Sequence, residues 1–73
     1  MLNNKDKKNI KAFGLRLRKL RKHAGITQSQ LAYECGLELS QISRIERGII
    51  NTSISNLYRI ADVLEIAPVK LIE

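Results

Sequence analysis

Apolar side chains return along this chain at three- and four-residue steps, the spacing that lines up one face of an α-helix. Ile10, Phe13, Leu17, Leu20 and Ala24 form the first such series, with Asn9 as its candidate cap and Gly25 as its end. Residues 1–8 have little apolar content, and the pattern predicts a flexible basic N-terminal tail there. Two shorter helices follow, one from Thr27 with Leu31 and Ala32 facing inward, the other from about Leu39 to Arg47 with Ile42 and Ile45. Ser53 then caps a fourth series of Ile54, Leu57, Ile60, Ala61 and Leu64. Pro68 begins a short fifth helix, at the first helical position, where a missing N–H costs nothing. Leu71 and Ile72 close the core. The expectation is an all-α protein of five helices in one domain over residues 9–73.

The junction between the second and third helices is the most specific part of the pattern. Thr27 with Gln30 three residues later has the form of a capping box, the hydroxyl accepting one backbone N–H while the amide reaches back to another. Ala32 is small where the next helix must cross, at roughly 90–120° in a helix-turn-helix. Gly36 takes the positive φ of the corner, where a Cβ would cost about 1 kcal/mol or more, and Leu37 seals it. Leu39, Ser40, Gln41, Ser43, Arg44 and Arg47 are then left to point elsewhere. That outward set is what such a motif inserts into a major groove.

The segment TQSQLAYECGLELSQISRIERG closely resembles the Cro/cI-type (Xre-like) helix-turn-helix regulators, in its combination of TQ-x-x-LA, a glycine four residues later and IS-x-IE-x-G. The resemblance runs from about Asn9 to Ile72 and implies a five-helix Cro/cI repressor-like DNA-binding domain with its helix-turn-helix at helices 2–3. It further implies that Glu38, Leu39, Ser40, Gln41 and Arg44 face base edges. Arg44 is the strongest of these, since a guanidinium can donate two parallel bonds to guanine O6 and N7, worth roughly 1–3 kcal/mol of discrimination. Gln41 pairs with adenine or contacts phosphate, and Leu39 packs on a thymine methyl or serves as a buried contact. Glu38 stands where the family commonly has Ser or Thr; it caps the helix or accepts from cytosine N4, and its charge is otherwise unfavourable beside phosphates.

By the same resemblance, phosphates are met by Thr27, Gln28 and Ser29 at a helix N-terminus and by Arg47 and Asn51 at the far end of the reading helix. Ile49 and Ile50 replace the basic residues often found after the helix-ending glycine. Arg21 and Glu46 match positions that form a partly buried ion pair in the phage repressors, linking helix 1 to the reading helix.

Charge points the same way. Residues 1–25 hold nine Lys or Arg against one Asp, whereas residues 26–73 hold four basic and six acidic side chains. Positive charge concentrated in the first third is an electrostatic footprint for a polyanion, set against the blander reading of a solvated helix face beside a disordered tail. A basic amphipathic helix 1 can also lie on an anionic membrane, but its apolar stripe is needed to complete the core. No apolar run approaches the ~18 residues that span a bilayer, and the lysine-rich N-terminus lacks an apolar signal region, so the expected compartment is the cytoplasm.

The single Cys35 rules out an internal disulfide or a multi-cysteine metal site and reads as a small buried filler rather than a redox switch. His23 is also alone, so no metal or other cofactor is expected. No nucleophile–base pair, paired acids or phosphate-cradling glycine loop supports an enzyme.

One copy of such a module reads only a few base pairs, so the expected working form is a homodimer on a pseudo-palindromic operator with half-sites roughly 34 Å apart. Ile49, Ile50, Tyr58, Val63 and Val69 are the surplus apolar residues assigned to its interface, although core packing accounts for some of them equally well. The function that follows is a transcription regulator that occludes or recruits RNA polymerase, without a small-molecule effector and with its own concentration as input. A restriction–modification controller, a phage Cro-like repressor and an antitoxin-type repressor all fit. The competing reading is a protein-interaction adaptor built on the same fold.

Overall fold

The computed structural model describes residues 2–73. Four α-helices follow one another, α1 over Asn4–His23, α2 over Gln28–Cys35, α3 over Leu39–Glu46 and α4 over Ile54–Leu64, and a 3-10 turn, Pro68–Leu71, ends the fold. Helix α1 packs on α3, α3 on α2 and α2 on α4, while the 3-10 turn closes against α4 and α1. Every element contributes to the sealed centre: Leu17, Leu31, Ile42, Ile45, Ile60 and Leu71 are all fully enclosed. Each such side chain contributes about 1.5–3 kcal/mol through removal of its apolar surface from water.

Three expectations change. The five-helix count becomes four helices and a turn, because Pro68–Leu71 is only four residues long and is held by the i→i+3 bond from Lys70 N–H to Ala67 O at 2.9 Å. Helix α1 starts at Asn4, inside the segment expected as the 1–8 tail; Met1 lies outside the described residues. Asn3 Oδ1 accepts from Asp6 N–H at 2.8 Å and Asp6 Oδ2 accepts from Asn3 N–H at 3.4 Å, a reciprocal cap that starts the helix ahead of Asn9. Finally, Ala24, Ile54 and Ile72, expected to face inward, are exposed, so that of the last pair only Leu71 closes the core.

The corner between α2 and α3 has the expected chemistry. Thr27 Oγ1 accepts from Gln30 N–H at 3.0 Å, and Gln30 Oε1 accepts from Thr27 N–H at 2.7 Å. Gly36 ends α2 at φ 69°, and Leu37 N–H donates back to Ala32 O at 2.9 Å. Cys35, 5% exposed, packs into the core beside this corner. Burial raises its thiol pKa, the Glu34 carboxylate adds to the rise and Arg59 opposes it. The thiol therefore stays protonated and shielded, and iodoacetamide at pH 8 should alkylate it far more slowly in the folded protein than in urea. Equal rates in the two states would place Cys35 at the surface.

Candidate nucleic-acid interface

Helix α3 is held from behind by α1. Arg21 and Glu46 form a bidentate pair, Arg21 Nε donating to Glu46 Oε2 at 2.5 Å and Arg21 Nη2 to Glu46 Oε1 at 3.0 Å, with side chains only 9% and 2% exposed. The remaining Arg21 nitrogen, Nη1, donates to Ile26 O at 2.9 Å, and Gln28 Nε2 donates to Glu46 Oε1 at 3.0 Å. This network joins α1, the start of α2 and the last residue of α3. The hydrogen bond to Glu46 is the main cause of a raised Arg21 pKa, which burial opposes.

Sequence reasoning missed a second fixture. Gly14, buried in the middle of α1, lies so close to the end of α3 that a Cβ there would stand 2.3 Å from Ile45 O and 2.7 Å from Glu46 O. A Cβ at Gly48 would likewise meet Lys11 Cα at 2.8 Å. The available signal was a glycine inside an otherwise strongly helical window, a costly choice unless something approaches its backbone.

With its back fixed, α3 turns Leu39, Ser40 and Arg44 to solvent, and Glu38 is exposed just before it. Leu39 is 48% exposed, so it is a surface residue rather than a buried contact. Gln41 differs from its neighbours: it is half-buried, and its Oε1 accepts from Glu38 N–H at 3.0 Å. The bond leaves its NH2 group, with two donors, and the second lone pair of Oε1 for other partners.

The residues expected at phosphates lie at both ends of α3. Beside its start, an open groove of about 670 Å³ is lined by Arg18, Lys22, Thr27, Gln28, Ser29 and Leu39, among others. The capping box uses the Thr27 and Gln30 N–H groups, leaving those of Gln28 and Ser29 free to bind an anion at the positive end of α2. The Gln28 side chain itself is turned to Glu46. Arg47 and Asn51 are exposed at the other end, Arg47 Nε donating to Ser43 O at 3.3 Å and Asn51 Oδ1 accepting from Thr52 N–H at 3.0 Å.

Two short helices set at a glycine corner make a helix-turn-helix. Residues 17–71 match the helix-turn-helix family, and the chain belongs to that family of transcription regulators. More narrowly, it is homologous to restriction–modification controller proteins. It is 37% identical over 62 residues to the control protein C.BamHI of Bacillus amyloliquefaciens, spanning 84% of this chain and 76% of that one. The crystal structure of the restriction-modification controller protein C.AhdI from Aeromonas hydrophila superposes with a TM-score of 0.85 at 39% identity, covering 88% of this chain and 97% of that one. A hypothetical transcription factor of Neisseria meningitidis is 33% identical over 67 residues, covering 92% of this chain and 61% of that protein. The crystal structure of such a factor, NHTF from Neisseria, gives a TM-score of 0.83 at 29% identity, covering 93% of this chain and 79% of the solved one.

Proposed function

We propose that this chain is a sequence-specific double-stranded DNA-binding regulator of the controller type, acting in the cytoplasm as a homodimer on a pseudo-palindromic operator and governed by its own concentration. The observation that carries the reading is the exposed edge of Leu39, Ser40 and Arg44 on a helix fixed from behind and bordered by the groove of Arg18 and Lys22. In this reading Arg44 and Ser40 donate to base edges, Leu39 meets a thymine methyl, and Glu38 accepts from cytosine N4. Gln41 offers its NH2 donors. Thr27, Gln28 and Ser29 hold one phosphate strand, the latter two through their backbone N–H groups, and Arg47 and Asn51 hold the other.

Dimerisation rests on apolar surface the monomer does not use. Ile49, Tyr58 and Val69 are exposed, whereas Ile50 and Val63 already pack against the core and offer only part of their surface. RNA polymerase is the further partner that a bound dimer blocks or recruits.

Selecting bound duplexes from a random pool tests this reading, with an enriched inverted repeat as the expected result. Arg44→Ala should then reduce discrimination at one base pair of each half-site by roughly 1–3 kcal/mol, as measured by competition between selected and single-mismatch duplexes. Unchanged preference would remove Arg44 from the reading set. A pool bound without preference, with affinity falling steeply in salt, would make the protein an unspecific polycation binder.

A further inference from the structure

Four of the nine basic residues of α1, namely Lys7, Lys11, Arg18 and Lys22, follow with Leu15 at three- and four-residue steps, so they share one face, and all are exposed. Its later part, Arg18 and Lys22, borders the groove at the start of α3. Its earlier part borders another cleft, of about 550 Å³, at the opposite end of α3: Lys7, Lys8 and Lys11 line it together with Asn4, Ile10, Gly48 and the apolar side chains of Leu2 and Ile49. Among the described residues, none lining this cleft is acidic.

The two clefts are separated by the length of α3. Eight residues at 1.5 Å each make about 12 Å, which is about the width of the major groove between the phosphate strands that flank it. A helix lying across that groove would set its two ends against those two strands.

We propose that the first half of α1 forms a second cleft for the DNA backbone, in which Lys7, Lys8 and Lys11 take phosphates while Leu2 and Ile49 pack on deoxyribose. This rests on the reading of α3 as the base-reading helix, and it moves to α1 the contacts that a basic loop after Gly48 would have made. It also moves Ile49 from the dimer surface to the nucleic acid, beside Leu2, and leaves Tyr58 and Val69 as the exposed apolar residues for dimerisation. The first turns of α1 become part of the binding surface rather than a tail.

The salt dependence of binding tests the assignment, read by fluorescence anisotropy on a selected duplex. The variant K7Q/K8Q/K11Q is compared with K5Q/R59Q/K70Q, which removes the same charge from exposed positions outside the cleft; circular dichroism checks that both fold. The slope of log affinity against log salt should fall by about 2.7 in the cleft variant, at 0.9 for each phosphate contact, making the wild type's loss between 50 and 200 mM salt about fortyfold greater. Its preference for selected over scrambled duplex should persist, and the second variant should keep the wild-type slope. A wild-type slope in the cleft variant, or equal reductions in both, overturns the proposal. A wild type without any duplex preference refutes the reading of α3 itself, before any lysine is changed.

Discussion

Replacing Glu46 with alanine is expected to lower the unfolding free energy by about 3–5 kcal/mol, the usual consequence of removing one partner of a buried ion pair. Arg21 would keep only Ile26 O as an acceptor, and Gln28 would lose the carboxylate its amide donates to. The loss is large beside the total stability of such a domain, about 5–15 kcal/mol, and each lost kcal/mol should lower Tm by about 4–8 °C. Urea denaturation of the wild type and the variant measures it. A change below about 1 kcal/mol would equate the pair with a solvent-exposed one. The double variant R21M/E46L should recover much of the loss, because apolar side chains of similar volume leave no charge stranded.

Gly14→Ala should destabilise the protein although helix propensity by itself favours alanine by about 1 kcal/mol. The new methyl group would stand 2.3 Å from Ile45 O and 2.7 Å from Glu46 O, and these are backbone atoms that cannot rotate aside. Overpacking at the upper end of its usual range, about 3 kcal/mol, leaves a net loss of about 2 kcal/mol and pushes α3 away from α1. Operator affinity should fall with it, because Leu39 and Arg44 would shift relative to Arg18 and Lys22. Thermal melting supplies a test by sign: a rise in Tm would mean that the two helices have room between them.

Legibility in the sequence followed the range of the interaction. The α2–α3 corner was readable because its determinants lie within a few residues of one another: Thr27 with Gln30, Ala32, Gly36 with Leu37, then Ile42 with Ile45. The start of α1 was local as well, written in Asn3 and Asp6, but low apolar content obscured this pair and Asn9 took the role of cap. Ile54 fits the apolar period of α4 yet sits in the first turn, exposed, while Leu57, Ile60 and Leu64 turn to the core. At the interface, the exposure of Ser40 and Arg44 followed from the burial of Ile42 and Ile45. The inward turn of the Gln28 side chain and the engagement of Gln41 Oε1 did not, because each depends on a partner that only the folded corner brings near. Gly14 is the clearest case, since its role comes from carbonyls more than thirty positions further along the chain.

An eight-residue helix such as α3 is marginal by itself in water. Here it is clasped at Gly14, at Glu46 and where Gly48 meets Lys11. A probe already set in its final shape has little backbone freedom to surrender on association, so the ordering cost that weakens segments folding on contact is largely avoided. In the reading proposed for α3, accommodation then falls to the duplex, whose readiness to bend or twist would become part of what is recognised.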